Sequence, residues 1–261
     1  MSELVLIGAT ALLASGLTLF SGFGLGTLLM PVFALFFPVP VAIAATAVVH
    51  LANNLFKLAL LARLADWRVV LRFGGPAALA AVAGASTLAL IDQMPAIARW
   101  SLGGAEFAVT PVKAVIGLLI VGFALFELSP ASDRLAFRDR WMPLGGVLSG
   151  YFGGLSGNQG ALRSAFLIKS GLGRDGFVAT SAVCAAIVDV VRLSVYGAGL
   201  LAIGFGASGV PAATVVVACL CAFAGAWGGR RLLTKVTLRG VRLTVATMML
   251  AIGSGLIAGV L

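Results

Sequence analysis

Hydrophobic residues run along this chain in long uninterrupted stretches, parted by short polar or basic connectors. Eight stretches can be marked, roughly at 3–37, 39–62, 73–91, 107–126, 142–168, 176–203, 209–229 and 241–261. A helix needs about 20 apolar residues to cross a bilayer, so most are long enough to span one. The pattern predicts an all-α polytopic membrane protein. Two stretches are interrupted by glycine-rich runs, Ser21-Gly22-Phe23-Gly24-Leu25-Gly26 and Gly153-Gly154-Leu155-Ser156-Gly157-Asn158-Gln159-Gly160. Each glycine costs about 1 kcal/mol relative to alanine in a helix interior, so the runs predict helix breaks. The first stretch has no basic region ahead of it and outruns a signal peptide, so it is read as part of the mature protein.

The chain also resembles itself at an offset of 135 residues. Phe20-Ser21-Gly22 lies over Leu155-Ser156-Gly157, Ala45–Val48 over Thr180–Val183, Asn54–Leu58 over Asp189–Leu193, and Pro76-Ala77-Ala78 over Pro211-Ala212-Ala213. Four matches in one register, without a gap, predict a duplication: a first repeat at 1–128, a connector at 129–141 and a second repeat at 142–261. Broken helices at matching positions of two halves point to a transporter binding site.

Composition strengthens the membrane reading. The chain has 261 residues, 61% of them hydrophobic and 10% charged, more apolar surface than a soluble particle can cover with polar groups. The net charge of +9 is no nucleic-acid signal, because the basic residues gather at segment ends. Three connectors are basic: 63–72, 134–140 and 230–242. The positive-inside rule puts all three in the cytoplasm, which eight simple crossings cannot satisfy. The conflict disappears if 142–168 is a re-entrant hairpin entering from the cytoplasm and 3–37 one entering from outside. The uncharged connector 203–208 is then external. Each half becomes one glycine-broken hairpin plus three crossings, and the halves are inverted. The rival is eight full crossings with one exception to the rule.

Candidate chemistry collects at the breaks and on the second segment of each half. A re-entrant tip leaves backbone N–H groups at the start of a half-helix, a setting that suits an anion. The first tip offers Ser21, Gly22, Gly24, Gly26 and Thr27; the second offers Ser156, Gly157, Asn158, Gln159 and Gly160. The bland alternative is close helix packing through Gly22-x-x-x-Gly26, Gly150-x-x-x-Gly154 and Gly225-x-x-x-Gly229. Thr46, His50, Asn53 and Lys57 share one helical face, with Asn54 beside them. His50, the single histidine, is either a proton shuttle or a hydrogen-bonded core residue. Lys57 either attracts substrate or snorkels to the interface. The matching face carries Ser181, Asp189 and Arg192. Asp189 and Arg192 form either a structural ion pair or an oxyanion cradle in which Asp189 accepts a proton. Arg163, just after the second tip, is a further cation with the same snorkelling alternative.

No phosphate-binding loop for ATP is present, and one histidine with three dispersed cysteines excludes the usual zinc or haem arrangements. The expectation is no cofactor, no metal and no enzymatic activity.

Ser21–Gly26 followed by Met30-Pro31, then Ala42–Thr46 and Asn54, with a second glycine-rich copy at 153–160, resembles the TauE/SafE family of sulfite exporters and sulfonate permeases. The resemblance covers nearly the whole chain. It implies transport of small sulfur-containing anions such as sulfite, sulfoacetate or related organosulfonates. The second copy departs from the family pattern: Asn158-Gln159 stand where further glycines are common, and no proline matches Pro31.

The resulting expectation is a secondary transporter of the bacterial inner membrane. It binds one small anion between the two tips and works by alternating access. Proton coupling through His50 or Asp189 and a homo-oligomeric state are both compatible with the sequence. The rivals are an anion channel and a non-transport membrane binding partner.

Overall fold

The computed structural model describes residues 2–21, 24–129, 136–197, 210–232 and 238–261, with side chains described throughout these ranges except at 18–21, 229–232, 238–239 and 241–242. Gly22, the Ser21 side chain and the connector 203–208 therefore lie outside the described residues.

Ten helices are described. In the first half these are α1 (Ser2–Ser21), α2 (Leu25–Ala34), α3 (Val39–Leu61), α4 (Trp67–Asp92) and α5 (Pro111–Leu128). In the second half they are α6 (Met142–Ser156), α7 (Gly160–Leu167), α8 (Arg174–Tyr196), α9 (Ala212–Leu232) and α10 (Leu238–Ile257). Both predicted breaks are present. Gly157 ends α6 at φ +80°, a left-handed conformation that glycine adopts without steric cost. The second break is narrower than the glycine run. Gly153 and Gly154 remain helical, because α6 needs them for packing: a Cβ at Gly154 would run into the backbone of Ala81 on α4, and one at Gly150 into that of Ala77. The GxxxG spacing in α6 thus serves helix contact.

Caps set the other boundaries. Asp66 starts α4 by accepting from the backbone N–H groups of Arg68 (2.9 Å) and Val69 (3.1 Å). Thr110 starts α5 by accepting from Lys113 N (3.3 Å), with Pro111 at the first helical position. The stretch expected at 107–126 is displaced. Its first residues join a β-hairpin, β1 (Ala98–Leu102) with β2 (Ala105–Val109), turned by Gly103 and Gly104 at φ +60° and +84°. Alternating polar and apolar residues there, with two successive glycines at the turn, favour strands over helix. The hairpin is tied down by Trp100 Nε1, which donates to Ala258 O at 2.8 Å.

Among the described residues, four helical spans are long and apolar enough to cross a membrane: Val39–Leu64, Trp67–Asp92, Pro111–Leu128 and Arg174–Tyr196. Their burial separates centre from rim. The span of α3 is 72% buried, whereas those of α4 and α5 are 33% buried and present leucines such as Leu79 and Leu118 outward, as lipid-facing helices do. At about 1.5 Å per residue, α6 and α7 each fall short of the roughly 30 Å hydrocarbon core. Instead α7 folds back along α6. A Cβ at Gly145 would strike the Phe166 ring, Ser149 Oγ donates to Gln159 O (3.1 Å), and Phe137 N donates to Ala165 O (3.1 Å). Both chain ends of this helical hairpin lie together.

Packing couples the halves. Under the 135-residue offset α1–α4 correspond in order to α6–α9, α5 and α10 follow them, and the helix contacts interchange accordingly. The leading helix of each half packs on the fourth of the other, α1 on α9 and α6 on α4. Corresponding helices also pair with each other, α3 with α8 and α5 with α10. The α3–α8 pair is antiparallel: Asn54 meets Asp189, while beyond the end of α3 Asp66 N donates to Thr180 Oγ1 (3.0 Å) near the start of α8.

Candidate anion-binding site

The central pair α3–α8 carries the polar face predicted for it, and the two faces meet. Asp189 is the hub. Its Oδ2 lies 2.6 Å from His50 Nδ1, and because a carboxylate only accepts, that nitrogen carries the hydrogen. Asn54 Nδ2 donates to the same oxygen at 3.3 Å. On the other side Oδ1 accepts from Arg192 Nε (3.0 Å) and Gln159 Nε2 (3.4 Å), with Arg192 Nη2 at 2.8 Å. Asp189 and Arg192 are both fully buried. Such a pair is tolerable in a low-dielectric interior only when hydrogen bonds complete it. Hydrogen bonds complete most of it: Arg192 Nη1 also donates to Gly153 O (3.3 Å), while Nη2 makes no hydrogen bond among the described residues.

The two breaks converge on this network. A Cβ at Gly26 would lie 3.0 Å from the Gly157 carbonyl oxygen, and one at Gly24 would lie 3.5 Å from Gly160 Cα. At Gly26 a larger residue would press on the Gly157 backbone, whereas at Gly24 the tightest neighbour would be the Thr27 hydroxyl at 3.3 Å. Gln159, between the tips, spans two charged groups: its amide donates to Asp189 while its Oε1 accepts from Arg163 Nη1 at 3.1 Å. Asn158 is 3% exposed, and neither its amide nitrogen nor its oxygen finds a partner among the described residues. A buried amide left open on both sides is costly, so this is a place where a ligand would be gained by the protein. Ser156 Oγ is turned inward, donating to Phe152 O (3.0 Å), and Thr27 is buried in the first turn of α2.

Beside the tips lies a cavity of about 50 Å³. Gly24, His50, Asn54, Lys57, Arg163 and Ser181 are among its walls, which include no carboxylate. Two groups facing this region lack partners among the described residues: Arg163 Nε and Ser181 Oγ. Lys57 and Arg163 bring positive charge to a small, half-open space, which favours an anion in it.

The sequence-derived set therefore divides. Gly24, His50, Asn54, Lys57 and Arg163 line the cavity. Gly26, Gly157, Asn158, Gln159 and Gly160 form the adjoining tips. Arg192 does not line the cavity; it serves the buried ion pair, and the arginine at the cavity is Arg163. Phe177, Val178 and Ser164 also line it and were not singled out from sequence. Phe177 and Val178 share the helical face of Ser181 but are apolar, and Ser164 is an isolated serine, so none carries a distinguishing motif.

Residues 7–256 match the family model described as sulfite exporter TauE/SafE. No curated protein and no solved structure matches the chain.

Proposed function

The chain belongs to the sulfite exporter TauE/SafE family, a family of membrane transporters of sulfite and related anions, and from that premise we propose that it carries one small sulfur oxyanion or organosulfonate by alternating access. The observation that carries this reading is the cavity beside the helix breaks, walled by Lys57, Arg163 and His50 and by no carboxylate. Arg163 supplies the guanidinium that pairs with the oxyanion, Lys57 adds charge, and Ser181 and Asn158 offer hydrogen bonds now unused.

The two halves, 1–128 and 142–261, act as inverted repeats about an axis through the Asn54–Asp189 contact. Their broken segments dip into the membrane of a bacterial inner-membrane protein and return. The interchange of helix contacts and the antiparallel α3–α8 pair support this arrangement. His50, hydrogen-bonded to Asp189 and lining the cavity, can accept a proton as the anion moves, which makes it the candidate for coupling. On the far half of the α3–α8 pair Ile43, Thr46 and Ala47 are fully buried, which supports a transporter that closes on one side over an open channel.

The test is a thermal-shift screen of the purified protein against sulfite, sulfate, thiosulfate, taurine and sulfoacetate. A ligand that binds the folded state raises the apparent melting temperature by mass action. A rise with at least one sulfur oxyanion is expected; no response to any of them refutes the reading.

A further inference from the structure

The cavity occupies only one half of the antiparallel α3–α8 pair, the half that ends at Leu61 and begins at Arg174. There Lys57, Ser164, Phe177 and Ser181 are half-buried. The 135-residue offset assigns four of its polar groups a counterpart on the opposite half. Ser181 corresponds to Thr46, Lys57 to Arg192, Asn54 to Asp189, and Arg163 to Leu28. All four counterparts are sealed: Thr46, Asp189 and Arg192 are fully buried and Leu28 is 5% exposed. One of them nevertheless bears the mark of an unfilled site. Thr46 Oγ1, like Ser181 Oγ, is without a partner among the described residues. Its methyl group lies against the break itself, 3.8 Å from where a Cβ of Gly26 would stand.

The two sets differ in charge. The cavity holds Lys57 and Arg163 with no carboxylate in its walls. The counterpart holds one cation, Arg192, already bound to Asp189, and places leucine where the cavity has Arg163. Resting on the transporter reading above, we propose that the Thr46 side is the second access pathway, and that the protein binds its anion much more tightly from the Ser181 side than from the Thr46 side. The same anion meets two cations through one opening and a neutral ion pair through the other. Thr46 and Ser181 are the hydroxyls that contact it in turn. By the positive-inside rule the Ser181 side, flanked by Arg63, Arg68, Arg72 and Arg174, is cytoplasmic.

The experiment measures saturable uptake of radiolabelled sulfite by the full-length protein in right-side-out and in everted bacterial membrane vesicles. The half-saturating sulfite concentration is expected to be at least about tenfold lower in everted vesicles, where the cytoplasmic face is outward. Ser181→Ala should raise that value in everted vesicles, and Thr46→Ala should raise it in right-side-out vesicles. Thr46→Ser, which keeps the hydroxyl, should restore it. Equal half-saturation from the two faces, or a Thr46→Ala effect confined to everted vesicles, overturns the inference and leaves the transporter reading standing. Absence of saturable sulfite uptake in both preparations overturns the transporter reading, and this inference with it.

Discussion

Consider replacing Asp189 by asparagine. The side chain keeps its shape and one carbonyl oxygen, but it loses the charge that holds Arg192. In the native protein that carboxylate receives Arg192 and Gln159 on one oxygen and His50 and Asn54 on the other, with no water-exposed surface. Removing one member of a buried ion pair strands the other and costs about 3–5 kcal/mol. The retained oxygen places the expected cost near the lower bound, about 3 kcal/mol. For a chain of this length each kcal/mol corresponds to about 2–4 °C, so the apparent melting temperature should fall by about 6–12 °C. Removing the stranded charge as well, in Asp189→Asn with Arg192→Met, should recover most of the loss. Melting of each purified variant in detergent, followed by fluorescence-detected gel filtration, completes a double-mutant cycle. If Asp189→Asn melts within about 2 °C of the native protein, or if the double variant is merely the sum of its singles, the network around Asp189 does not hold the two halves together as argued.

Three further outcomes are expected. Arg163→Met should abolish the sulfite-induced thermal shift while lowering the melting temperature in the absence of sulfite less than Asp189→Asn does, since it breaks one hydrogen bond to Gln159 and no ion pair; a loss of stability comparable to that of Asp189→Asn would make Arg163 structural. Asn158→Ala should likewise suppress the sulfite response and leave the ligand-free protein no less stable, because neither polar atom is engaged; an unchanged sulfite response would remove Asn158 from the site. Gly150→Val should destabilise by about 1–3 kcal/mol or more through collision with the Ala77 backbone. Gly122→Ala, where nothing lies within 4 Å, should be neutral or stabilising by about 0.5–1 kcal/mol; equal effects of the two in a melting assay would contradict the α4–α6 packing.

Much of this molecule is written locally. Long apolar runs specify helices because the backbone must satisfy its own hydrogen bonds in lipid, and clustered glycines specify the breaks because they stabilise helix least. The face shared by His50 and Lys57 follows from helical periodicity alone, and the same periodicity brings Arg192 within reach of Asp189. Even the near-whole-chain family match is foreshadowed by the glycine-rich copies. Only the tertiary structure decided which cation is neutralised and which faces the cavity. Arg163 and Arg192 look alike in sequence, yet Arg192 is held by Asp189 while Arg163 stands at the cavity wall beside Lys57. It also joined His50 to Asp189 across 139 positions. Periodicity fixes the direction in which a side chain leaves its own helix. What it meets there depends on how two distant helices cross, and that is set by the whole packed assembly.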